Sequence, residues 1–551
     1  MSNDAEGPMA INEERGQPVA PRRFVWDRST QAWLVFGVLL VGATVRMAYL
    51  GEVSLWFDES FCWKMSTFPL SEQWERAAGD NHPPLYYFLL KPWTAAFGNS
   101  PWTSRFLSVL CGLAAIAGTY ALVLEIEASA LSIARDDGRA VCPAFLAAAL
   151  VALSPFQIEW SQSVRMYALG VPFAVWSTWA LLRAMNETAT WRAWLLYAVL
   201  AAGLIYTHYF GFFILAAHGL YGALAEGRRA RAARSGVGLL FRLRGPALAA
   251  VVMALLWWPW MDEFLLQRRR GIEQEWGRPT GIEHLLQSIA EMFRLMWAPA
   301  TDDLTIPWIA TGALATVSLA TVLFGRRGER LLGLCVVSTF GLALLIASGS
   351  KSLVASWYFL FAHAFALCAA AVWVFRCPWG FVRRSLAGLL LAGAFWQGWE
   401  QIEWRRTRAE RPSFQDALAY VESQRGEADP IFVNGPRDWV AASPYVERPG
   451  TLFVLSTRTD FRFGEGTAVL NPADYATAAS VTGSPASRAW AVLATNGARQ
   501  PVEVAIPPEW IPVSEERFHD WRYSEIVVRE YIRDRTSSSS ASQAGEPPAA
   551  P

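Results

Sequence analysis

Long apolar segments alternate with short polar segments from about residue 32 to residue 400. Eleven of these segments approach the length of about 20 residues that a helix needs to cross a bilayer core. The composition agrees with this interpretation, because 53% of the residues are hydrophobic and only 17% are charged. The pattern predicts an α-helical polytopic membrane protein with eleven crossings. The second begins at about residue 102, and the others lie near residues 32–50, 141–154, 165–182, 194–206, 210–224, 246–260, 306–324, 331–347, 355–375 and 386–399.

Arginines between these segments predict the orientation of the chain, because loops rich in Lys and Arg stay in the cytoplasm. The clearest marker is the basic segment 228–244, and Arg22, Arg23 and Arg28 place the N-terminal tail 1–30 on the same side. The acidic segment 51–101 then forms a first outer loop. Segment 83–97 begins with two prolines and is short for a crossing, so we interpret it as an interfacial helix. As a full crossing, it would place the segment 228–244 outside.

The composition changes after residue 401, where the transmembrane region 31–401 ends. Residues 413–425 have the pattern of an amphipathic helix, and apolar runs at 430–433, 451–455, 489–493 and 525–528 are typical of strands. The sequence therefore predicts a small external α/β domain over 402–534. A tail rich in Ser, Ala and Pro follows at 535–551, and we expect it to be disordered. The N-terminal tail has no apolar core of a cleavable signal peptide, so the first crossing is expected to remain as an anchor.

Polar residues that are unusual for a membrane protein fall on the outer side of this topology. A carboxylate there can accept the proton of an attacking hydroxyl group, and a cation can stabilise a departing phosphate. Asp58 and Glu59 are the candidate catalytic carboxylates. The candidate substrate-binding residues are Arg46, Asp80, His82, Arg105, Glu159, Arg165, Tyr167, His208, Lys351 and Tyr358.

Structural roles are an alternative for most of these residues. Asp58 and Glu59 fit a solvated helix N-terminus, which favours carboxylates. His82, which precedes two prolines, fits a turn better than a metal site, because no second histidine at ligand spacing lies nearby. His208 fits an interfacial aromatic belt, and Lys351 fits the membrane interface.

The arginines have a structural alternative of their own. Arg105 and Arg165 lie near helix ends, where long basic side chains snorkel to lipid headgroups, and we favour this interpretation for Arg105. Glu159 is then the salt-bridge partner of Arg165. Arg46 is the exception, because a charge inside a membrane crossing usually faces a functional cavity or a partner.

Four motifs occur in a fixed order along the first third of the chain. Asp58-Glu59 follows the first crossing, and the sequence His-Pro-Pro-Leu-Tyr-Tyr at 82–87 ends the same loop. An arginine-led segment at 105–112 opens the second crossing, and the segment 154–167 follows the third. This arrangement resembles the GT-C membrane glycosyltransferases, in the branch of the dolichyl-phosphate-mannose protein mannosyltransferases and the aminoarabinose transferases (glycosyltransferase family 39-like).

The resemblance implies an inverting transfer of one sugar from a polyprenyl-phosphate carrier, with Asp58 as the carboxylate that activates the acceptor. It also implies an active site at the outer leaflet, roofed by the first outer loop, in a bacterial inner (plasma) membrane. The acceptor is a protein, a lipid or a cell-envelope glycan. No cofactor besides the polyprenyl-phosphate-sugar donor is implied, and neither spacing nor resemblance assigns a metal.

Two other functions compete with this one. A transporter of polyprenyl-linked glycans is expected to carry internal repeats and polar breaks near the membrane midplane, which this sequence does not display. A non-catalytic scaffold would bind the same lipids without using the carboxylates. A nucleic-acid partner is not expected, because the formal net charge is zero.

Overall fold

The computed structural model describes residues 26–131, 137–186, 189–233, 236–273, 305–349 and 355–534, apart from residues 412, 457, 459–460, 462–464, 496–502 and 521–524. Lys351, most of the N-terminal tail 1–30 and the tail 535–551 lie outside the described residues.

The transmembrane region consists of helices. In chain order they are α1 (Arg28–Met47), α2 (Phe57–Thr67), α3 (Leu70–Ala78), α4 (Leu85–Phe97), α5 (Pro101–Leu131), α6 (Gly138–Leu153), α7 (Pro155–Ser161), α8 (Tyr167–Ala184), α9 (Trp191–Thr207), α10 (Gly211–Ala233), α11 (Gly236–Trp257), α12 (Met261–Glu273), α13 (Thr305–Phe324), α14 (Glu329–Gly349), α15 (Leu360–Arg376) and α16 (Gly380–Ala409). Short 3₁₀ turns precede α12 and α15. Each of the eleven predicted crossings coincides with one helix of this set.

Five helical stretches in the described part of the chain are long and apolar enough to cross a membrane: Arg28–Met47, Pro101–Leu131, Leu243–Arg270, Glu329–Ile346 and Ser356–Arg376. A sixth arises if α6 and α7, which meet at an angle of 58°, count as one crossing. Trp191–Thr207 and Trp308–Phe324 are shorter apolar helices. The chain is therefore a multi-span membrane protein, as the sequence predicts.

The bend between α6 and α7 follows from Ser154 and Pro155. Pro155 has no N–H group, so it leaves the carbonyl of Val151 without its helical donor. Arg46 supplies the missing donors: its Nη2 lies 3.1 Å from the oxygen of Val151, and its Nη1 lies 2.7 Å from that of Ala152. The charged side chain of Arg46 on α1 thus caps the C-terminal end of α6, and it is fully buried there.

Gly112 of α5 allows this arginine to lie between the helices. A Cβ atom at Gly112 would lie 2.8 Å from Nε of Arg46 and 2.5 Å from Oγ of Ser161. Both distances are shorter than van der Waals contact, so only glycine permits α5 to approach α1 and α7 this closely.

The first outer loop contains α2, α3 and α4. The predicted interfacial helix is α4, with 13 residues, and Tyr86, Tyr87 and Leu90 on it are buried against the core. The C-terminal end of α3 is fixed by α12, because Gln267 donates to the carbonyl of Ala77 at 2.7 Å. The loop that follows α3 therefore starts from a fixed position.

The C-terminal region contains a five-stranded sheet. Its strands are β1 (Ile431–Val433), β2 (Leu452–Val454), β3 (Arg488–Ala494), β4 (Trp510–Phe518) and β5 (Ile526–Arg533), in the spatial order β2-β1-β3-β5-β4. The first three strands pair in parallel, whereas β5 pairs antiparallel with β3 and β4. Its helices are α17 (Phe414–Gln424), α18 (Pro436–Ala442) and α19 (Ala478–Thr482).

The predicted amphipathic helix and the four predicted strands are confirmed. Helix α17 begins at Ser413, which forms a capping box with Asp416. Strand β4 is an edge strand that the sequence analysis missed, because most of its side chains are exposed and Pro512 interrupts the run. Helix α16 continues through residue 401 to Ala409, so it extends beyond the predicted end of the transmembrane region toward α17.

Candidate active site

Glu59 and Arg105 form a buried ion pair between the first outer loop and α5. Nε and Nη2 of Arg105 bind the two carboxylate oxygens of Glu59 at 2.8 and 2.6 Å. Glu59 also accepts the backbone N–H of Val164 at 2.9 Å. The Glu59 side chain is only 3% exposed and that of Arg105 only 1%. This carboxylate is therefore enclosed by protein donors.

Asp58, one residue earlier on α2, has a different environment. Its side chain is 22% exposed, and its Oδ2 atom lies 3.8 Å from Nη2 of Arg165. Arg165 itself is buried, and its Nη1 lies 3.3 Å from the backbone oxygen of Asp58. The site thus combines an accessible carboxylate with a fixed guanidinium group.

Cys62 and Tyr167 hold Arg165 in place. Nη1 of Arg165 donates to Sγ of Cys62 at 3.4 Å, and Nη2 donates to the hydroxyl of Tyr167 at 3.2 Å. Burial raises the pKa of the Cys62 thiol to about 12, although the charge of Arg165 opposes this shift. The thiol is therefore protonated at neutral pH, and its sulfur acts as an acceptor.

Asp80, His82 and Tyr87 form a second polar group at the end of the first outer loop. Oδ2 of Asp80 accepts from the hydroxyl of Tyr87 at 3.1 Å and lies 3.3 Å from Nδ1 of His82. Burial disfavours the ionised form of Asp80, but the hydrogen bond and charge of His82 and the charge of Arg165 outweigh it. The pKa of Asp80 is accordingly lower than usual.

Aromatic rings connect these two polar groups. The ring of His208 lies 5.7 Å from His82, 5.5 Å from Tyr167 and 4.9 Å from Tyr358, measured between centroids. Trp357 lies 6.3 Å from Tyr167. Tyr167 begins α8, and the other rings lie in the segments that precede α4, α10 and α15, so together they form one wall beside Asp58 and Arg165.

His208 is a neutral hydrogen-bonding group in this wall. Its burial and the nearby His82 and Arg165 lower its pKa well below the usual value. Nδ1 of His208 accepts the backbone N–H of Phe210 at 3.1 Å, which leaves the proton on Nε2.

The depressed pKa of Asp80 predicts a pH-dependent contribution to stability. Because the folded pKa lies below the unfolded value of about 4, the ionised group stabilises the fold above that pH, and the contribution is lost as the pH falls through the folded pKa. We expect Asp80→Asn to lower the free energy of unfolding by about 1–3 kcal/mol at pH 7. This deficit should shrink below about pH 4.

Thermal unfolding of detergent-purified protein between pH 7 and pH 3 measures this deficit. Asp262→Asn, which changes an exposed carboxylate of α12, is the matched control and should not alter the unfolding temperature. A deficit for Asp80→Asn that stays constant down to pH 3 would contradict the prediction.

Four described residues of the predicted site lie apart from this cluster. Glu59 and Arg105 bind each other instead. Arg46 ends α6, as described above. The proposed pairing of Glu159 with Arg165 is wrong, because Glu159 binds Arg408 at 3.1 Å and Gln401 at 2.7 Å, both on α16. The snorkelling of Arg105 is also wrong, since a guanidinium group with 1% exposure does not reach lipid headgroups.

The structure therefore brings together Asp58, Asp80, His82, Arg165, Tyr167, His208 and Tyr358. Two residues in contact with them were missed as site residues. Tyr87 belongs to the motif at 82–87, and its position in that motif was an available signal. Cys62 carries no such signal, because nothing in its spacing along the sequence indicates the contact with Arg165. Within the described ranges, no three His, Cys, Asp or Glu side chains are arranged to hold a metal ion.

A family model described as dolichyl-phosphate-mannose-protein mannosyltransferase matches residues 81–258. This stretch includes His82, Arg165 and His208. No curated protein sequence matches the chain significantly.

Solved structures show similarity over nearly the whole chain. ArnT from Cupriavidus metallidurans bound to undecaprenyl phosphate superposes with a TM-score of 0.59 at 15% identity, covering 92% of this chain and 98% of that one. The apo state of the same protein gives a TM-score of 0.59 at 14% identity, with coverages of 91% and 98%. The protein therefore has an ArnT-like fold, including its C-terminal part.

Proposed function

We propose that the chain is a membrane glycosyltransferase similar to the dolichyl-phosphate-mannose-protein mannosyltransferases, and that it transfers a sugar from a polyprenyl-phosphate donor to an acceptor hydroxyl at the outer membrane face. The observation that carries this proposal is the pairing of an accessible carboxylate, Asp58, with the buried cation of Arg165 at 3.8 Å. Undecaprenyl phosphate, which ArnT binds, has the chemistry of such a donor after sugar transfer.

In this proposal Asp58 is the general base. It takes the proton of the acceptor hydroxyl while the acceptor oxygen forms its bond to the anomeric carbon, and the bond from that carbon to the phosphate oxygen breaks. Attack opposite to the leaving group inverts the anomeric centre. Arg165 stabilises the negative charge that develops on the departing phosphate. Lys351 remains a proposed second cation for this phosphate.

We assign Glu59 a positioning role, in place of the catalytic role that the sequence predicts. All its contacts are with protein donors, and its side chain is one seventh as exposed as that of Asp58. Glu59 and Arg105 would fix the start of α2, and Asp80 would fix His82 and Tyr87. His82, His208, Tyr167 and Tyr358 would line the sugar and phosphate binding site.

Mass spectrometry of polyprenyl-phosphate sugars and envelope glycans, in cells with and without this chain, tests the proposed function. If cells without the chain lack one glycan linkage and accumulate a polyprenyl-phosphate sugar, the result agrees with the proposal and identifies both substrates. Identical glycans and donors in both cell types would contradict it. Loss of export without loss of any linkage would instead support a transporter.

We further propose eleven crossings, with the segment 228–244 in the cytoplasm and the domain 402–534 outside, in a bacterial inner membrane. One contact supports a shared side for the first outer loop and the C-terminal domain: Arg76 of α3 donates to the side chain of Asn471 at 2.6 Å. This contact is expected if both segments lie on one face of the membrane.

Labelling with a membrane-impermeant maleimide tests this topology. In intact spheroplasts, Ala479→Cys in the external domain should react, whereas Arg228→Cys should react only after the membrane is permeabilised. Both positions are exposed, and the wild-type protein with its native cysteines gives the background. The opposite labelling at either position would overturn the eleven-crossing topology.

A further inference from the structure

The C-terminal domain contacts the first outer loop through hydrogen bonds at two places. Ahead of α2, the backbone N–H of Leu55 donates to the hydroxyl of Tyr445 at 2.5 Å. On α3, Arg76 donates to the carbonyl of Ala468 at 2.8 Å and to the side chain of Asn471 at 2.6 Å. These bonds join segments separated by almost 400 positions in the sequence.

Helix α2 also presents a face to this domain. The guanidinium of Arg437 lies 5.1 Å from the ring centroid of Phe57, and the ammonium of Lys64 lies 5.2 Å from that of Trp439. Phe57 and Lys64 are separated by about two helical turns, so they lie on the same side of α2. The domain therefore contacts the helix at both ends of this face.

Three consecutive residues at the start of α2 point in different directions, because successive side chains on a helix are about 100° apart. Phe57 lies under Arg437 of the C-terminal domain, and Glu59 is bound by Arg105 of the membrane region. Asp58 lies between them and faces the candidate site. A rotation of α2 that displaced Asp58 would have to break one of the two flanking contacts.

Gly466 permits the close approach of the domain to α2. Its φ angle is +92°, and a Cβ atom there would lie 2.9 Å from Cγ2 of Val440 and 3.1 Å from Cε2 of Phe57. Any larger residue would push the domain and Phe57 apart, as well as strain the backbone.

We infer that the C-terminal domain is a positioning element for catalysis: it holds α2 from the outside so that Asp58 faces the acceptor and the donor. This inference rests on the proposed function. It assigns to Tyr445, Phe57 and Gly466 an effect on turnover that acts through the position of Asp58. Donor binding, which depends on residues outside α2, should be unaffected.

Gly466→Ala tests this inference, with Gly98→Ala as its matched control. Both glycines have a positive φ angle, near 90°, so both substitutions strain the backbone similarly, but a Cβ atom at Gly98 would meet no atom within 4 Å. Gly466→Ala is expected to lower glycan product in cells by about tenfold to a hundredfold at matched protein level, since small misplacements of a catalytic group have effects of this size. Gly98→Ala should retain wild-type product.

Binding of undecaprenyl phosphate to the purified variants distinguishes a displaced Asp58 from a loss of the folded structure. We expect Gly466→Ala and Gly98→Ala to bind it within about twofold of the wild type. Tyr445→Phe is the milder variant, because it removes only the hydroxyl that accepts from Leu55. It should lower the amount of glycan product and leave undecaprenyl phosphate binding unchanged. Tyr475→Phe, on a partly exposed ring elsewhere in the domain, should change neither product nor binding.

Reduced product with retained undecaprenyl phosphate binding in Tyr445→Phe and Gly466→Ala supports the inference. Wild-type product in both variants overturns it, while leaving the proposed function intact if Asp58→Asn abolishes product. If Gly466→Ala loses both product and binding, Tyr445→Phe alone tests the inference: reduced product with retained binding supports it, and wild-type product overturns it. Failure of the proposed function is distinct, because the wild-type protein would then form no glycan product.

Discussion

Replacing Asp58 with asparagine is expected to abolish sugar transfer while the protein still inserts and folds. Asparagine has nearly the same shape as aspartate but cannot accept the acceptor proton, so the loss should amount to about 10²- to 10⁴-fold in turnover. The contact of Arg165 with the backbone oxygen of residue 58 does not depend on the carboxylate. Undecaprenyl phosphate should therefore still bind.

The measurement is the amount of glycan product and of accumulated polyprenyl-phosphate sugar, at matched expression. Glu52→Gln is a suitable control, because it removes an exposed carboxylate from the same loop and should leave product at the wild-type level. Normal turnover by a folded Asp58→Asn protein would exclude Asp58 as the base. An equal loss in Glu52→Gln would indicate a general effect of the loop charge.

Much of the fold is predictable from the sequence, because helix length and hydropathy are local properties. Each predicted crossing lies in a helix, and the four apolar runs after residue 430 are strands. Strand β4 is an exception: it is an edge strand whose short apolar run is interrupted by Pro512 and is followed by exposed charged residues. Local patterns thus identify elements that bury a face and miss those that do not.

The candidate site was predicted less completely, because its contacts are long-range. The acidic pair at 58–59 was recognised, but only the structure distinguishes the enclosed Glu59 from the accessible Asp58. The partner of Glu59 is 46 positions away and a partner of Glu159 is 249 positions away. No spacing rule indicates which arginine a buried carboxylate will contact across such separations.

The ion pair of Glu59 and Arg105 should have the largest effect on stability. The guanidinium group has five N–H donors, and Arg105 makes five hydrogen bonds: two to Glu59 and three to the carbonyls of Leu50, Val53 and Ser54. Arg105→Met leaves the carboxylate of Glu59 buried without its partner. We expect a loss of about 3–5 kcal/mol in the free energy of unfolding.

The double variant Glu59→Gln with Arg105→Met separates the charge effect from the lost backbone contacts. Because a buried charge without a partner costs more than the absence of the pair, the double variant should be more stable than Arg105→Met alone. It should remain less stable than the wild type, since three carbonyls have still lost their donor. Arg105→Lys should rescue little, because an ammonium group cannot reproduce the planar fork of donors.

Unfolding in detergent, followed by tryptophan fluorescence, provides the free energies for this comparison. Arg139→Met is the control: that arginine pairs with Asp137 but is 57% exposed, so its loss should have little effect on the free energy of unfolding. A similarly small effect of Arg105→Met would show that the outer loop is held mainly by other contacts. A large effect, reversed in part by the second substitution, would establish that Glu59 anchors α2 to the membrane region and leaves Asp58 as the carboxylate free to react.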